Sequence, residues 1–447
     1  WMSNNIHGGL AEGTMREEVQ QYHNKWESHQ DIDMSNDSTV WCSMKKHVFI
    51  YTDAGKPVFS RYGDEIKLAP FMGTLTALSS VVADVQDVTD EVCCDDGLVI
   101  VFHSVGPIEI VFVGRTGETS SNLKYQAEMV GRKICSIVPY TTILSLFQKK
   151  TSYDFRRLLL SEYDQLKFFI HSLNESSAVL YDSVRIMPCA NREEIATKIQ
   201  GHVMQYNEKL KKISDSIVFV ALFHKFEILT VFHRVGCVLS PKDMHVLMSF
   251  VLGLPSTTDK WVPIGLFDFN KSGQLFAFCH FLNVDLALVI LTTKNEAIEI
   301  VRETSNEISE SLKSTPFIKQ LIFNDSIDLQ FEVDTMSYLH FLYIQFERPY
   351  SQLFEPEFQD VYKSDRKQIK RIHKIFLLIF EQMNNQDLKE YFSKGGVDCI
   401  YAVRKRSYFF VGTFNLMLQR DDVMEHAMGI IKQIKEKNDV LFHKSLF

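Results

Sequence analysis

Residues 46–63 read KHVFIYTDAGKPVFSRYG, two apolar runs on either side of a short polar break. His47 to Tyr51 and Pro57 to Tyr62 are rich in β-branched and aromatic residues, and Asp53-Ala54-Gly55-Lys56 supplies the turn, so the stretch predicts a β-hairpin. A helix is expected immediately after it. Pro70 suits a first helical turn, and the sixteen residues from Leu68 to Ala83 carry no charge. Further strands are expected at Leu98 to His103 and Ile108 to Gly114. Leu123, Ala127, Val130, Ile134 and Ile137 then recur in steps of four and three, the stripe of an amphipathic helix. Another helix near Tyr153 to Leu173 closes this unit.

The strand-then-helix ending recurs twice. Leu286 to Thr292 predicts a strand, Thr293 and Glu296 have capping-box spacing, and Ile298, Val301, Ile308 and Leu312 share one helical face. Tyr408 to Phe414 predicts the last such strand, with Asp421 and Asp422 to cap a helix whose stripe is Val423, Ala427, Ile430 and Ile434. Three closures of this kind imply three copies of one mixed α+β domain, with joints near residues 174–180 and 313–317. The expected division is a polar leader or arm at 1–45, then domains at 46–175, 176–315 and 316–447. Within the leader only Met15, Val19, Tyr22 and Trp26 have helical spacing, so it is either a disordered tail or a short amphipathic arm.

Composition narrows the function. Apolar residues make up 45% and charged residues 23% of 447, a globular mixture. A net charge of -8 excludes a generally basic protein, so nucleic acid is not an expected partner and any anionic surface must meet a local patch. Eight cysteines without a CxxC pair fit buried thiols better than disulfides or zinc. The longest apolar runs, such as Ile375 to Phe380, fall far short of the roughly 20 residues that span a bilayer. No GxSxG, HExxH or GxGxxG occurs. Val113 to Thr119 glances at a phosphate loop but lacks the closing Lys-Ser/Thr, so it reads as a strand end running into a helix cap. His224 and His233 fit hairpin or core positions better than metal ligands. No catalytic residue, cofactor or metal is expected.

Particular residues resemble a known family. Lys46-His47-Val48-Phe49-Ile50, Ala54-Gly55-Lys56-Pro57 and Ser60-Arg61-Tyr62-Gly63 look like the opening of the SAND family of vacuolar fusion proteins. Asp154 to Leu159, Leu239-Ser240-Pro241 with Asp243-Met244-His245, and Trp261-x-Pro263 with Phe269-Asn270 and Gly273 are similar to its later blocks. His340 to Tyr343, Pro349-Tyr350 and Asp439 to Phe442 continue the match less densely. The resemblance implies three longin domains in tandem, each a five-stranded antiparallel sheet with one helix on one face and two on the other. It further implies an obligate Ccz-type longin partner, with which such proteins form a guanine-nucleotide exchange factor for the late-endosomal and vacuolar Rab GTPase. Such a factor works by differential binding without covalent catalysis, at endosome, late endosome and lysosome or vacuole membranes. A non-catalytic longin adaptor or tether subunit is the alternative.

Three surfaces are candidates. On the uncharged helix, Leu68, Met72, Leu75 and Val82 can pack on the sheet, leaving Phe71, Thr74, Leu78 and Val81 to be covered by the partner and the Rab, or by another part of the chain. Trp261, at a strand start, with Lys294 is the candidate contact for an upstream early-endosomal Rab, unless the indole packs inward. Lys363, Arg366, Lys367, Lys370, Arg371 and Lys374 place six cations on one helical face, suited to a phosphoinositide-containing membrane, or else simply solvated or paired with acids of the partner.

Overall fold

The computed structural model describes residues 38–83, 91–175, 177–210, 217–254, 258–323, 338–356, 358 and 365–443. The residues of the expected arm, Met15 to Trp26, lie outside them.

The opening hairpin forms as the sequence predicts. β1 (Lys46–Thr52) pairs antiparallel with β2 (Pro57–Ser60), and Gly55 takes the left-handed φ of 74° that the turn demands. β1 is apolar on both faces because it is an inner strand with a core on each side. Val48 and Ile50 enter one core and Phe49 and Tyr51 another. A short helix α1 (Ser38–Ser43) precedes it, and α2 (Ala69–Ala83), β3 (Glu91–Cys93), β4 (Val99–Val105) and β5 (Ile108–Gly114) complete a sheet of order β2-β1-β5-β4-β3. On the far face lies α3 (Ser120–Ile137), capped by Thr119, whose hydroxyl accepts from the Asn122 amide. Of the predicted stripe, Leu123, Ala127, Val130 and Ile134 are fully buried and Ile137, at the helix end, is half-buried. The single helix expected over Tyr153 to Leu173 is divided: after α4 (Tyr140–Lys149) come α5 (Arg156–Leu159), a 3-10 turn and α6 (Tyr163–Glu175).

The second unit repeats this plan. Strands β7 (Ile217–His224), β8 (Glu227–His233), β9 (Lys260–Ile264), β10 (Leu275–Phe281) and β11 (Leu286–Thr292) give the order β8-β7-β11-β10-β9. α9 (Pro241–Leu252) covers one face, and α8 (Arg192–Leu210), α10 (Ile298–Lys313) and α11 (Pro316–Ile322) cover the other. α11 puts Phe317, Ile318 and Leu321 into this core, so the second body continues past the joint expected near 315. The capping box expected from Thr293 and Glu296 is absent. A 3-10 turn at Asn295–Ala297 intervenes, and the helix that follows has no side-chain cap.

The third unit holds β12 (Tyr338–Gln345), β13 (Ser351–Phe354), α12 (Arg366–Asn385), β14 (Glu390–Lys394), β15 (Asp398–Arg404), β16 (Tyr408–Asn415), α13 (Arg420–Glu436) and α14 (Asn438–Leu441). Its sheet has six strands rather than five. β6 (Ser183–Arg185), which follows the short helix α7 (Ser177–Leu180) in the first joint, adds to β13 in parallel, and Ile186 bridges to Ile228 of the second sheet. The joint thus pairs with the sheets of both later units.

The units are docked by burial and by backbone. α9 lies against α3 and α6 of the first unit, and Gly265 donates its amide to the Ser136 carbonyl at 2.9 Å. A Cβ on Gly265 would come within 2.4 Å of the Cys135 carbonyl, so only glycine fits there. At the other seam Arg192, buried, donates to the carbonyls of Leu229, Met187, Val440 and Phe442, holding the C-terminal residues of the third unit on the second.

Candidate functional site

α2 and α9 occupy equivalent positions, each following the hairpin of its unit, but their outer faces differ. In α9 every residue from Asp243 to Leu252 is buried, because the first unit's α3 and α6 cover the side turned from its own sheet. Leu68, just before α2, and Met72 and Leu75 within it are buried on the sheet as expected, whereas Gly73, Thr74 and Ala77 are exposed and Leu78 is half-buried. Phe71 departs from expectation. It is half-buried, its ring centre 5.2 Å from that of Phe49 and 5.9 Å from that of Trp41, so α1 covers part of the face assigned to a partner. The side chains of Val81 and Val82 lie outside the described residues.

Trp261 sits on β9, the outer edge of the second sheet. Its indole is half-buried, stacks on Phe276 at 5.8 Å and donates to Asn295 Oδ1 at 2.6 Å. Exposed Lys294 is the residue before that acceptor, so the structure does bring the two together.

The six-cation face is not free. α12 begins at Arg366, capped by Asp365, so Lys363 lies outside the described residues, as does the side chain of Arg366. Arg371 pairs with Asp398 and Lys374 donates to the Thr116 carbonyl of the first unit. Lys367, Lys370 and Lys374 are exposed and Arg371 is half-buried, so two of the described four are held by other parts of the chain. A periodicity argument places cations on a face but cannot see that another domain is docked against its end.

The loop that glances at a phosphate loop is likewise occupied. Glu118 bonds Lys46 at 2.7 Å, and Thr119 donates to Glu381 at 3.0 Å. Burial draws the Lys46 ammonium down to about 8 despite the pull of Glu118.

Sequence reasoning missed one cluster. It weighed His224 and His233, which lie at different ends of the β7–β8 hairpin, whereas the histidines brought together are His340 and His373. Both Nε2 atoms point at Glu355 Oε1, at 2.9 and 2.8 Å, while Ser177 and Arg185 hold Oε2. Burial alone would raise the Glu355 carboxyl, but the charge of His373 and hydrogen bonds from both imidazoles hold it well below the usual range. Nothing in the spacing of 340, 355 and 373 signals this, because the residues belong to three different elements.

Three tandem sheets of five or six mostly antiparallel strands with helices on both faces define a tandem longin protein. Residues 46–168 match the first longin domain, and residues 215–310 the second longin domain, of FUZ, MON1 and HPS1. The chain is 28% identical over 369 residues to Protein SAND of Takifugu rubripes, covering 80% of this chain and 68% of that one. It is 24% identical over 423 residues to the human vacuolar fusion protein MON1 homolog A (92% and 62%), and 28% identical over 274 residues to the MON1 homolog of Arabidopsis thaliana (61% and 44%). A bacteriophytochrome of R. palustris aligns at 8% identity with a TM-score of 0.16, which carries no argument. The chain belongs to the SAND/MON1 family of vacuolar fusion proteins.

Proposed function

We propose that this chain is the three-longin subunit of a guanine-nucleotide exchange factor, paired with a Ccz-type longin protein and acting on a late-endosomal Rab to drive endosome maturation and membrane fusion. The observation that carries the reading is the outer face of α2. In the second unit the equivalent face is closed by helices of a neighbouring longin domain, while in the first unit Gly73, Thr74, Ala77 and half-buried Leu78 have no such neighbour among the described residues. A longin domain of a second protein fits there by the same packing, and the Rab switch region would meet the joint surface. The family membership supports a role in vesicle trafficking.

Exchange requires no reactive side chain. It requires tighter binding of the nucleotide-free GTPase than of the loaded one, and a thousandfold acceleration corresponds to about 4 kcal/mol of that difference. Among the described residues no helix is long and apolar enough to cross a membrane. Recruitment to endosomal and vacuolar membranes would then be peripheral, through an early-endosomal Rab at Trp261 and Lys294 and through anionic phosphoinositide headgroups. Release of fluorescent nucleotide from purified Rab GTPases, with this chain alone and with the co-expressed partner, tests the reading. Acceleration that needs both subunits supports it; partner binding without acceleration of any Rab identifies an adaptor instead.

A further inference from the structure

The cluster around Glu355 lies away from the outer face of α2 and from Trp261, and its His373 adjoins the cations of α12 without being one of them. It joins elements from three parts of the chain: His340 from the middle of β12, Glu355 just after β13, and His373 from the second turn of α12. Two imidazole nitrogens and one carboxylate oxygen converge within 4.8 Å of one another. His340 and Glu355 are buried, and His373 remains 28% exposed at its side chain, which leaves one way in from solvent.

The surroundings of these groups are those of a ligand set. The His340 ring is fixed between Phe358, at 3.5 Å between centres, and Phe376, at 6.0 Å, and its Nδ1 has no hydrogen-bond partner, so Nε2 is its only polar anchor. Oε2 of Glu355 is held by the Ser177 hydroxyl at 2.7 Å and by the Arg185 guanidinium at 3.3 Å. Those two groups orient the carboxylate so that Oε1 alone faces the imidazoles, as outer hydrogen bonds orient ligands in metal sites. Two His nitrogens and one carboxylate oxygen, with a fourth position open to water, are a donor set suited to zinc.

We propose that His340 Nε2, His373 Nε2 and Glu355 Oε1 form a binding site for a divalent transition-metal ion, Zn²⁺ by its donors, that ties β12 and α12 of the third unit to the joint carrying Ser177 and Arg185. Metal–ligand bonds of about 2.0–2.2 Å in tetrahedral geometry separate neighbouring donors by about 3.3 Å. The present Nε2–Oε1 separations are 2.9 and 2.8 Å, about half an ångström short of that, and the two Nε2 atoms lie within 4.8 Å of each other. Each ring would then carry its proton on Nδ1, and Arg185, lying on the other oxygen, balances the carboxylate without blocking the ion.

The test is titration of the full chain with Co²⁺, read by the visible d–d absorption of a four- or five-coordinate ion, and with Zn²⁺, read as a rise in Tm. One saturable equivalent is expected, with a Tm increase of a few degrees at saturating metal. His373→Gln, at the exposed edge of the cluster, should weaken Co²⁺ binding by about 10- to 100-fold and remove the Zn²⁺-dependent rise. His373→Cys keeps a ligand and should restore binding, now with a sulfur-to-cobalt charge-transfer band that only direct coordination produces. Equal Co²⁺ binding by parent and His373→Gln would place the ion elsewhere and overturn the site. Absence of any saturable equivalent in the parent would overturn it too.

Discussion

Lys133 of α3, in the first longin domain, lies fully buried with its Nζ 5.5 Å from the ring centre of Phe250 in the second. Phe169 of α6 covers it from the other side at 5.8 Å, and its only hydrogen bond among those described is a long one, 3.5 Å, to Gln165. Burial draws this ammonium down to about 7, only partly opposed by Glu162. The unfolded chain holds its proton up to the ordinary lysine value, so between about pH 7 and 10.5 the unfolded state binds more protons and the Lys133 contribution to stability improves as pH rises. Below pH 7 both states are charged and the burial penalty is at its full size. Lys133→Met should therefore stabilise the seam at pH 7 by on the order of a few kcal/mol, and by progressively less toward pH 10. Thermal melts of parent and variant at pH 7, 8.5 and 10 check this; a gap that stays constant or widens with pH contradicts it.

The outer face of α2 separates two kinds of substitution. Ala77→Asp adds charge at an exposed position and Leu78→Asp at a half-buried one on the edge of the core, so the chain should stay folded, with a modest fall in Tm for Leu78→Asp, while co-purification with the Ccz-type partner is lost in both. Phe71→Asp removes ring contacts to Phe49 and Trp41 and should cost about 2–4 kcal/mol in addition. Partner capture compared with Tm for all three decides it. Retained capture by Ala77→Asp and Leu78→Asp would move the partner to another surface.

Helix and strand identities were legible wherever one chain segment meets one sheet. The hairpin at Lys46, the stripe of α3 and the stripe of α13 all follow from periodicity alone, whereas the N-cap of α13 is Gln419 rather than Asp421 or Asp422, with Asp422 accepting from the Gln419 amide. What was not legible came from contacts between units. β6 pairs with β13 some 170 residues away, so the sixth strand has no local signal. Phe71 is covered by Trp41, which the sequence assigned to a polar leader, and Arg371 and Lys374 are engaged by Asp398 and Thr116, which no helical wheel can show.

At Trp261 the tests of contact and of packing must be separated. Trp261→Ala removes the stack on Phe276 and the hydrogen bond to Asn295, with an expected cost of about 2–3 kcal/mol for a half-buried indole. Lys294→Glu disturbs neither. If an early-endosomal Rab docks on this edge, Lys294→Glu should weaken capture by the GTP-loaded Rab while leaving basal exchange unchanged and lowering Tm less than Trp261→Ala does. Unchanged capture in Lys294→Glu, together with lost capture and lowered Tm in Trp261→Ala, would assign the indole to packing.

Of the six cations expected to face a membrane, Lys367, Lys370 and Lys374 are exposed among the described residues, and Lys374 is tied to the first unit. Lys367 and Lys370 lie in the first turn and a half of α12, three apart and so on one face; Arg371 pairs with Asp398 and Lys374 donates to the carbonyl of Thr116. Each exposed cation near an anionic leaflet contributes about 1 kcal/mol, so Lys367→Glu with Lys370→Glu should weaken binding to phosphoinositide liposomes by at least about thirtyfold. The effect should fade as salt shortens the Debye length. Exchange in free solution and Tm should be preserved, because neither side chain reaches the core. Lys374→Ala makes the opposite prediction: it opens the contact between the third unit and the first, so Tm should fall while flotation changes little. Flotation of the full chain with its partner, over a salt series, with Tm measured on the same samples, distinguishes the two variants. Equal flotation of parent and the Lys367/Lys370 double variant at low salt would rule out this face as the membrane contact.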